Sequence, residues 1–218
     1  MFTDPTTPNL ADFYSVAIGQ GVPTADLPSG TLSTVTIDTS GSISALATSG
    51  TVQAGMILST PLGTYLATWN TTSGTVSPVP TEPVSEASIT VYSPYVGWAL
   101  NYAIQVALPG PQIGAGLSGF AGQYILAVYN LALHQLLKIA QDQPNQSFFT
   151  QARAQYKIGT LIPGVVMASG DQATSETLVV PEFFKNLTLS ELDLVKTPYG
   201  RDYLGYAQMY GPSIVGFS

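Results

Sequence analysis

The chain has 218 residues, of which 9 % are charged, and a formal net charge of −7 at pH 7. It contains no cysteine, which excludes a disulfide framework and a thiolate metal site. All six basic residues lie after position 137, and this excludes wrapping of nucleic acid by the first part, because phosphate binding depends on lysine and arginine. A surface so poor in charge is poorly protected against association. We therefore expect other subunits to cover much of it.

Residues 1–29 are rich in proline, threonine and glycine and predict an N-terminal arm. Within this arm, the segment from Asn9 to Ile18 fits either a short helix or an extended conformation. The residues after Met1 form neither a basic nor an apolar stretch, so we expect no signal peptide.

Residues 30–92 are dominated by threonine, serine, glycine and β-branched side chains, with short alternations of apolar and polar residues. Turn signals separate the alternating segments, which favours several short strands that pair with one another. The segment therefore predicts a separate antiparallel β module, either a small sandwich or a barrel. The candidate strands are 31–38, 42–47, 55–60, 63–69, 74–78 and 87–92.

The sequence predicts three helices over 93–158, namely 94–108, 119–141 and 146–158. Ser93 followed by Pro94 is typical of an N-cap with proline in the first turn. The most apolar stretch, 124–140, is interrupted by polar residues and is shorter than the roughly 20 apolar residues that a membrane span needs, so we expect no membrane role.

Residues 160–181 return to strand character, with a turn near Gly170 and Asp171, and predict a hairpin. A short helix over 188–196 follows, and Thr197 is the predicted cap of a last helix that ends at Tyr210. The whole chain is thus predicted to be α+β: a β module followed by a helical bundle over 93–218 that carries a hairpin and a C-terminal tail.

Residues 114–119 match the G-x-G-x-x-G pattern, but a dinucleotide site needs a strand before it, and here a helix precedes. We interpret them as a connector and expect no cofactor. His134 is the single histidine and lies in a polar stripe of the long helix. Without a carboxylate cluster beside it we expect no metal ion. A structural histidine, or one at a contact between subunits, fits this position better than a catalytic one.

The carboxylates of the C-terminal half are scattered, and no spacing indicates a pair for acid–base catalysis, so we expect no catalytic residue and no enzyme. Tyrosines 199, 203, 206 and 210 share one face of the last predicted helix. That face fits core packing and a protein interface equally well, since tyrosine is enriched at interfaces.

Three segments resemble head–tail connector (adaptor) proteins of tailed bacteriophages. The first runs from Tyr129 through His134 to Leu137, with small and apolar residues before the histidine. The second, 169–177, is similar to the family's serine-rich hairpin, and the third, 194–204, is similar to its pattern Leu-x-x-Thr-x-Tyr-Gly-x-x-Tyr-Leu. Their order and spacing agree with the family, and together they span about residues 94–210.

A further resemblance concerns the β module. The segments beginning at Gly30, Gly50, Gly63 and Gly74 are similar to a glycine- and threonine-rich β module of phage structural proteins. A compact adaptor is a helical unit without such a domain, so here the module would be an insertion.

The adaptor resemblance implies a structural virion protein without enzymatic activity. It implies a homo-oligomeric ring of about twelve copies beneath the portal protein, at the head–tail junction of the virion, after assembly in the bacterial host cytoplasm. The ring would extend the channel through which DNA passes and would dock a downstream connector or tail protein.

Candidate interface residues follow from the cations and aromatics of the C-terminal part: Lys138, Arg153, Lys157, Tyr199, Arg201, Tyr203, Tyr210 and Phe217. We expect the cations to form salt bridges to adjacent subunits. Two alternatives remain open: another virion protein, such as a decoration, baseplate or tail protein, that acts through the β module, or a carbohydrate-binding module that uses Tyr65 and Trp69.

Overall fold

The computed structural model describes residues 7–50, 55–60, 63–69, 73–107, 118–160, 169–171, 174–176 and 189–210. Within these ranges the protein has an α+β fold that combines a closed antiparallel barrel of six strands with several helices. The predicted fold class is confirmed at this level, and of the two predicted forms of the β module the structure shows the barrel.

The barrel strands follow the order β1–β2–β5–β4–β3–β6 around the barrel, and β6 pairs with β1 to close it. Each strand overlaps one of the predicted segments. The strands are β1 (Ser29–Ile37), β2 (Ser42–Gly50), β3 (Ile57–Thr60), β4 (Gly63–Trp69), β5 (Ser73–Ser77) and β6 (Val84–Tyr92).

The register of β1 shifts within the strand, because a bulge lies between Ser33 and Thr36. Leu32 is buried before the bulge and Val35 after it, although strict alternation would place them on opposite faces. Thr34, at the bulge, has a φ of 52°, in the left-handed region. The bulge therefore lets both apolar side chains enter the same barrel core.

The helices are α1 (Leu10–Gly19), α2 (Pro94–Val106), α3 (Ser118–Ile139), α4 (Phe148–Tyr156), α5 (Leu189–Leu194) and α6 (Pro198–Tyr210). Helix α3 is central, since α1, α2, α4 and α6 all contact it. Its buried side chains, such as Val128, Leu131 and Leu136, form the middle of a second hydrophobic core.

The N-terminal arm contains a helix rather than an extended segment. Asn9 caps α1 by accepting a hydrogen bond from the Asp12 amide at 2.9 Å. Leu10, Phe13 and Ala17 are buried in the helical core, so this part of the arm packs as one of its elements.

Two predicted details of local structure are confirmed only in part. Ser93 is the N-cap residue of α2 and Pro94 lies in the first turn, as predicted, but the buried Ser93 hydroxyl makes no hydrogen bond to the helix. Strand β7 (Ser169–Asp171) pairs antiparallel with β8 (Thr174–Glu176), as the predicted hairpin requires, and Gly170 and Asp171 themselves belong to β7. The other residues of the predicted hairpin over 160–181 lie outside the described part, except Thr160.

The barrel and the helices share packed side chains. Ile57 and Tyr92 come from barrel strands but belong to the helical core. Tyr14 of α1 packs its ring on Tyr92, with ring centres 5.1 Å apart. Gly97 of α2 has no side chain where Ile57 packs, and a Cβ there would overlap Ile57 Cδ1. This close approach positions the end of the barrel against α2.

Candidate functional site

His134 of α3 is joined to Thr197, the residue before α6, by a buried hydrogen bond. The distance from His134 Nδ1 to Thr197 Oγ1 is 2.8 Å, and the two residues are 3 % and 0 % exposed. The Thr197 hydroxyl also accepts the Gly200 amide at 3.0 Å and so caps α6. The Nε2 atom faces the carboxylate of Asp193, which favours a neutral ring with its proton on Nε2, and in that tautomer the Thr197 hydroxyl donates to Nδ1.

The Nε2 side of His134 faces Asp193 of α5, at 3.6 Å from Oδ2. Asp193 also pairs with Lys138 at 2.7 Å and with Lys196 at 3.2 Å. Partial burial alone would raise the pKa of the Asp193 carboxyl, but the hydrogen bonds from both lysines outweigh burial and hold that pKa below its ordinary value. For His134, burial lowers the pKa, and the charge of Asp193 only partly offsets it.

Gly200 sets the angle between α5 and α6. A Cβ at this buried position would overlap the carbonyl oxygen and carbon of Leu194, which are backbone atoms and cannot rotate away. Only glycine therefore allows α6 to begin this close to the end of α5. The close approach keeps Thr197, three residues earlier, at His134.

Thr197, His134 and Asp193 have the residue types of a catalytic triad, but their geometry supports a structural role. The Thr197 hydroxyl is fully buried and already both donates and accepts a hydrogen bond, so no substrate can reach it. Within the described ranges no three histidine, cysteine, aspartate or glutamate side chains lie close enough to hold a metal ion. The cluster fixes α3, α5 and α6 against one another.

Three of the four cations among the candidate interface residues have partners within the chain. Lys138 pairs with Asp193. Arg153 donates to the carbonyls of Leu137 and Ala140 at the end of α3, and Arg201 donates to the Val195 carbonyl at 3.0 Å. The side chain of Lys157 is exposed, and its backbone is left-handed, with a φ of 52°.

The candidate aromatic residues differ in exposure. Tyr203 is buried and Tyr199 is half-buried, and both pack in the helical core. The side chain of Tyr210 and the whole of Phe217 lie outside the described part. The structure thus places the described part of the tyrosine face mainly in the core.

Sequence analysis missed the roles of Asp193 and Lys196. Asp193 is one of the scattered carboxylates in the sequence, and it becomes central only because the fold brings α3 and α5 together. One local pattern in the sequence could have indicated their roles. Asp193, Lys196 and the predicted cap Thr197 lie close together just before the last predicted helix.

A second feature is a groove of about 500 Å³ between the barrel and α2. Trp98 lies in its wall with half of its surface exposed. Tyr65 also borders the groove but is only 5 % exposed, and the side chain of Trp69 lies outside the described part. The aromatic residue that the groove presents to solvent is therefore Trp98, which the carbohydrate alternative did not name.

Comparison of the chain with protein families, curated proteins and solved structures gives no match. In the described ranges, every helix is too short or too polar to cross a membrane. Residues 114–117 of the glycine pattern lie outside the described part, and Ser118 and Gly119 begin α3.

Proposed function

We propose that the chain is a structural virion protein of a tailed phage, a head–tail connector that forms a ring beneath the portal. The ring extends the DNA channel and docks the next connector or tail protein. One observation carries the proposal: two separate segments that carry the family resemblance meet in space through His134 and Thr197. Gly200, a third residue of that resemblance, is needed to hold the contact.

The contact supports the proposal because the resembling segments would otherwise be unrelated stretches of sequence. Their polar residues are 63 positions apart, yet they form one buried hydrogen bond. Residues that resemble a family and also form a buried contact together are better evidence for that family's fold than resembling residues on the surface. The finer architecture proposed here is a helical bundle around α3, with the barrel as an addition to it.

Exposed apolar side chains of the helical part provide surface for contacts between subunits. Tyr102 and Val106 of α2 are 42 % and 47 % exposed, and Leu126 of α3 and Met209 of α6 are 59 % and 75 % exposed. No residue of α2 is charged. A subunit that buries the exposed apolar side chains of α2 against a neighbour desolvates no charged side chain of that helix.

The charge distribution also suits a channel through which DNA moves. The part of the chain before Lys138 has no lysine or arginine, so it has no side chain that grips phosphate. A channel wall built from neutral and acidic groups would let DNA pass without trapping it.

A second candidate is another virion protein that acts through the barrel, as a decoration, baseplate or tail protein does. The barrel favours it by having its own closed hydrophobic core, which includes Leu32, Ile43, Leu58 and Val91. Deletion of 30–92 cannot separate the two candidates, because it would also remove Ile57 from the helical core. Substitutions of exposed residues separate the two candidate functions without disturbing either core.

The proposal is tested by native mass spectrometry of the purified full chain, alone and mixed with the portal ring of the same phage. We expect a closed ring with the portal, and its loss in Tyr102→Glu. Thr90→Glu adds the same charge to an exposed position on the barrel and serves as the matched control. A chain that stays monomeric under both conditions, or a ring that only the barrel variant disrupts, would contradict the connector proposal.

A further inference from the structure

The groove between the barrel and α2 has the chemistry of a ligand site. Its volume of about 500 Å³ falls within the range of roughly 300–1,000 Å³ that small-molecule sites occupy. The strands β3 and β4 form one wall and α2 forms another. Six of its lining residues offer contacts to a ligand: Trp98, Leu66, Ser59, Thr64, Ser77 and Asn101.

Among the residues that the structure describes, no side chain that lines the groove is charged. A phosphate, carboxylate or ammonium ligand that entered it would lose solvation without gaining an opposite charge. The lining thus selects for a neutral ligand.

Trp98 offers a flat apolar surface at the groove. Half of its side chain is exposed, and Tyr95 supports it edge to face, with ring centres 5.5 Å apart and an interplanar angle of 87°. An exposed indole covers the apolar C–H face of a sugar ring while leaving the hydroxyl groups of the sugar outward. Leu66, 38 % exposed, extends the apolar surface on the barrel side.

Neutral hydrogen-bonding groups surround this apolar surface. Ser59 and Thr64 are exposed and lie opposite each other in the pairing of β3 with β4, and Ser77 pairs opposite Leu66. Asn101 lies on α2, one turn after Gly97, and its carbonyl oxygen already accepts a hydrogen bond from Gln105. Its amide group and the three hydroxyls can both position and discriminate the hydroxyl groups of a ligand.

A peptide is a poorer match than a sugar. An extended peptide gains affinity by adding a strand to an open sheet, whereas the six described strands close into a barrel. We infer that the groove binds a neutral oligosaccharide, stacked on Trp98 and held by hydroxyl and amide side chains. The inference is independent of the proposed ring, because the groove belongs to a single chain.

Titration of the full chain with maltohexaose, cellohexaose and xylohexaose, followed by the NMR signal of the Trp98 indole N–H, tests the inference. We expect at least one of these neutral sugars to bind and to shift that signal. A trimer of galacturonic acid should bind at least tenfold more weakly, because the groove offers its carboxylates no cation.

Variants of two groove residues on α2 are compared with a variant of an exposed residue outside the groove. Trp98→Ala should reduce sugar affinity at least tenfold, and Asn101→Ala should reduce it by a smaller factor. Val79→Ala is the control, since Val79 is an exposed apolar residue outside the groove and outside the proposed subunit contact, and it should leave affinity unchanged. The inference is overturned if no neutral sugar binds, if Trp98→Ala binds as well as the parent chain, or if Trp98→Ala abolishes association between subunits instead.

Discussion

His134 and Thr197 share a buried hydrogen bond of 2.8 Å between the ring Nδ1 and the threonine hydroxyl. The same hydroxyl accepts the Gly200 amide, so one buried atom links α3 to the first turn of α6. This contact gives the resembling segments a structural purpose, and the first predictions concern it.

Thr197→Val should lower the free energy of unfolding by about 2 kcal/mol, because it leaves the His134 ring and the Gly200 amide without a partner in a buried site. Urea denaturation measures the change. Thr197→Ser keeps the hydroxyl and should cost about 1 kcal/mol or less, from the missing methyl group. A loss in Thr197→Val no larger than the loss in Thr197→Ser would contradict a stabilising role for the hydrogen bonds of the hydroxyl group.

Two glycines of α6 should respond to alanine with opposite signs. Gly200→Ala should lower the free energy of unfolding by about 2–3 kcal/mol, because the new methyl group would overlap the Leu194 backbone. Gly205 is exposed with open space around it, so Gly205→Ala should raise the free energy of unfolding by up to about 1 kcal/mol. Thermal and urea unfolding of both variants give the comparison.

Stability should fall between pH 7 and pH 5 because of His134. Burial lowers the pKa of His134 below its ordinary value of 6.5, so the unfolded chain binds the proton more tightly. The neutral His134 contributes its full stabilisation above pH 6.5. As pH falls below 6.5, the free energy of unfolding decreases by up to about 1.4 kcal/mol per pH unit. The charged groups that face the ring are Asp193, Lys138 and Lys196.

The measurement for this prediction is the free energy of unfolding from pH 8 to pH 5, for the parent chain and for His134→Gln. The difference between the two curves removes the titration of every other group. A difference that does not change with pH would contradict a buried, neutral His134.

Asp26 is the buried carboxyl without a compensating partner in the described part of the chain. It is 1 % exposed, and neither oxygen reaches hydrogen-bond geometry, although the main chain of Gln143 lies nearby. Burial raises the pKa of Asp26, and the negative charge of Asp142 adds to the rise. Its contribution to stability is therefore greatest below pH 3.8 and declines as pH rises through the folded-state pKa.

Asp26→Asn should consequently raise the free energy of unfolding at pH 7 by about 1 kcal/mol, since it removes a buried charge. At pH 3.5 the gain should disappear, because the parent carboxyl is then protonated. Thermal unfolding at the two pH values provides the check, and a loss of stability at pH 7 would show that the charge has a partner.

The strands were predictable from sequence because alternation and turn residues mark them directly, and each predicted segment overlaps an observed strand. The register of the barrel was not predictable. The bulge beside Thr34 changes which residues face inward, and no strong local pattern in the sequence indicates it. Thr197 was predictable as a helix cap, since threonine before proline is typical of that position. The hydrogen bond between Thr197 and His134 was not predictable, because that bond depends on how α6 packs on α3.

That Lys138 and Arg153 bind partners within their own chain was likewise not predictable from sequence. Lys138 and Arg153 suggested contacts with adjacent subunits, but Lys138 pairs with Asp193, and Arg153 caps the end of α3. Asp193 lies 55 positions after Lys138, and the carbonyls of Leu137 and Ala140 lie 16 and 13 positions before Arg153. The exposed Lys157 remains the better candidate for a contact between subunits.

The most direct measurement of the central claim is a cryo-electron-microscopy reconstruction of virions that contain this chain, focused on the junction between portal and tail. The connector proposal predicts a closed ring there, with six-stranded barrels and α3 helices repeated around the DNA channel. A reconstruction that shows the chain on the capsid surface, in the baseplate or along the tail would contradict it.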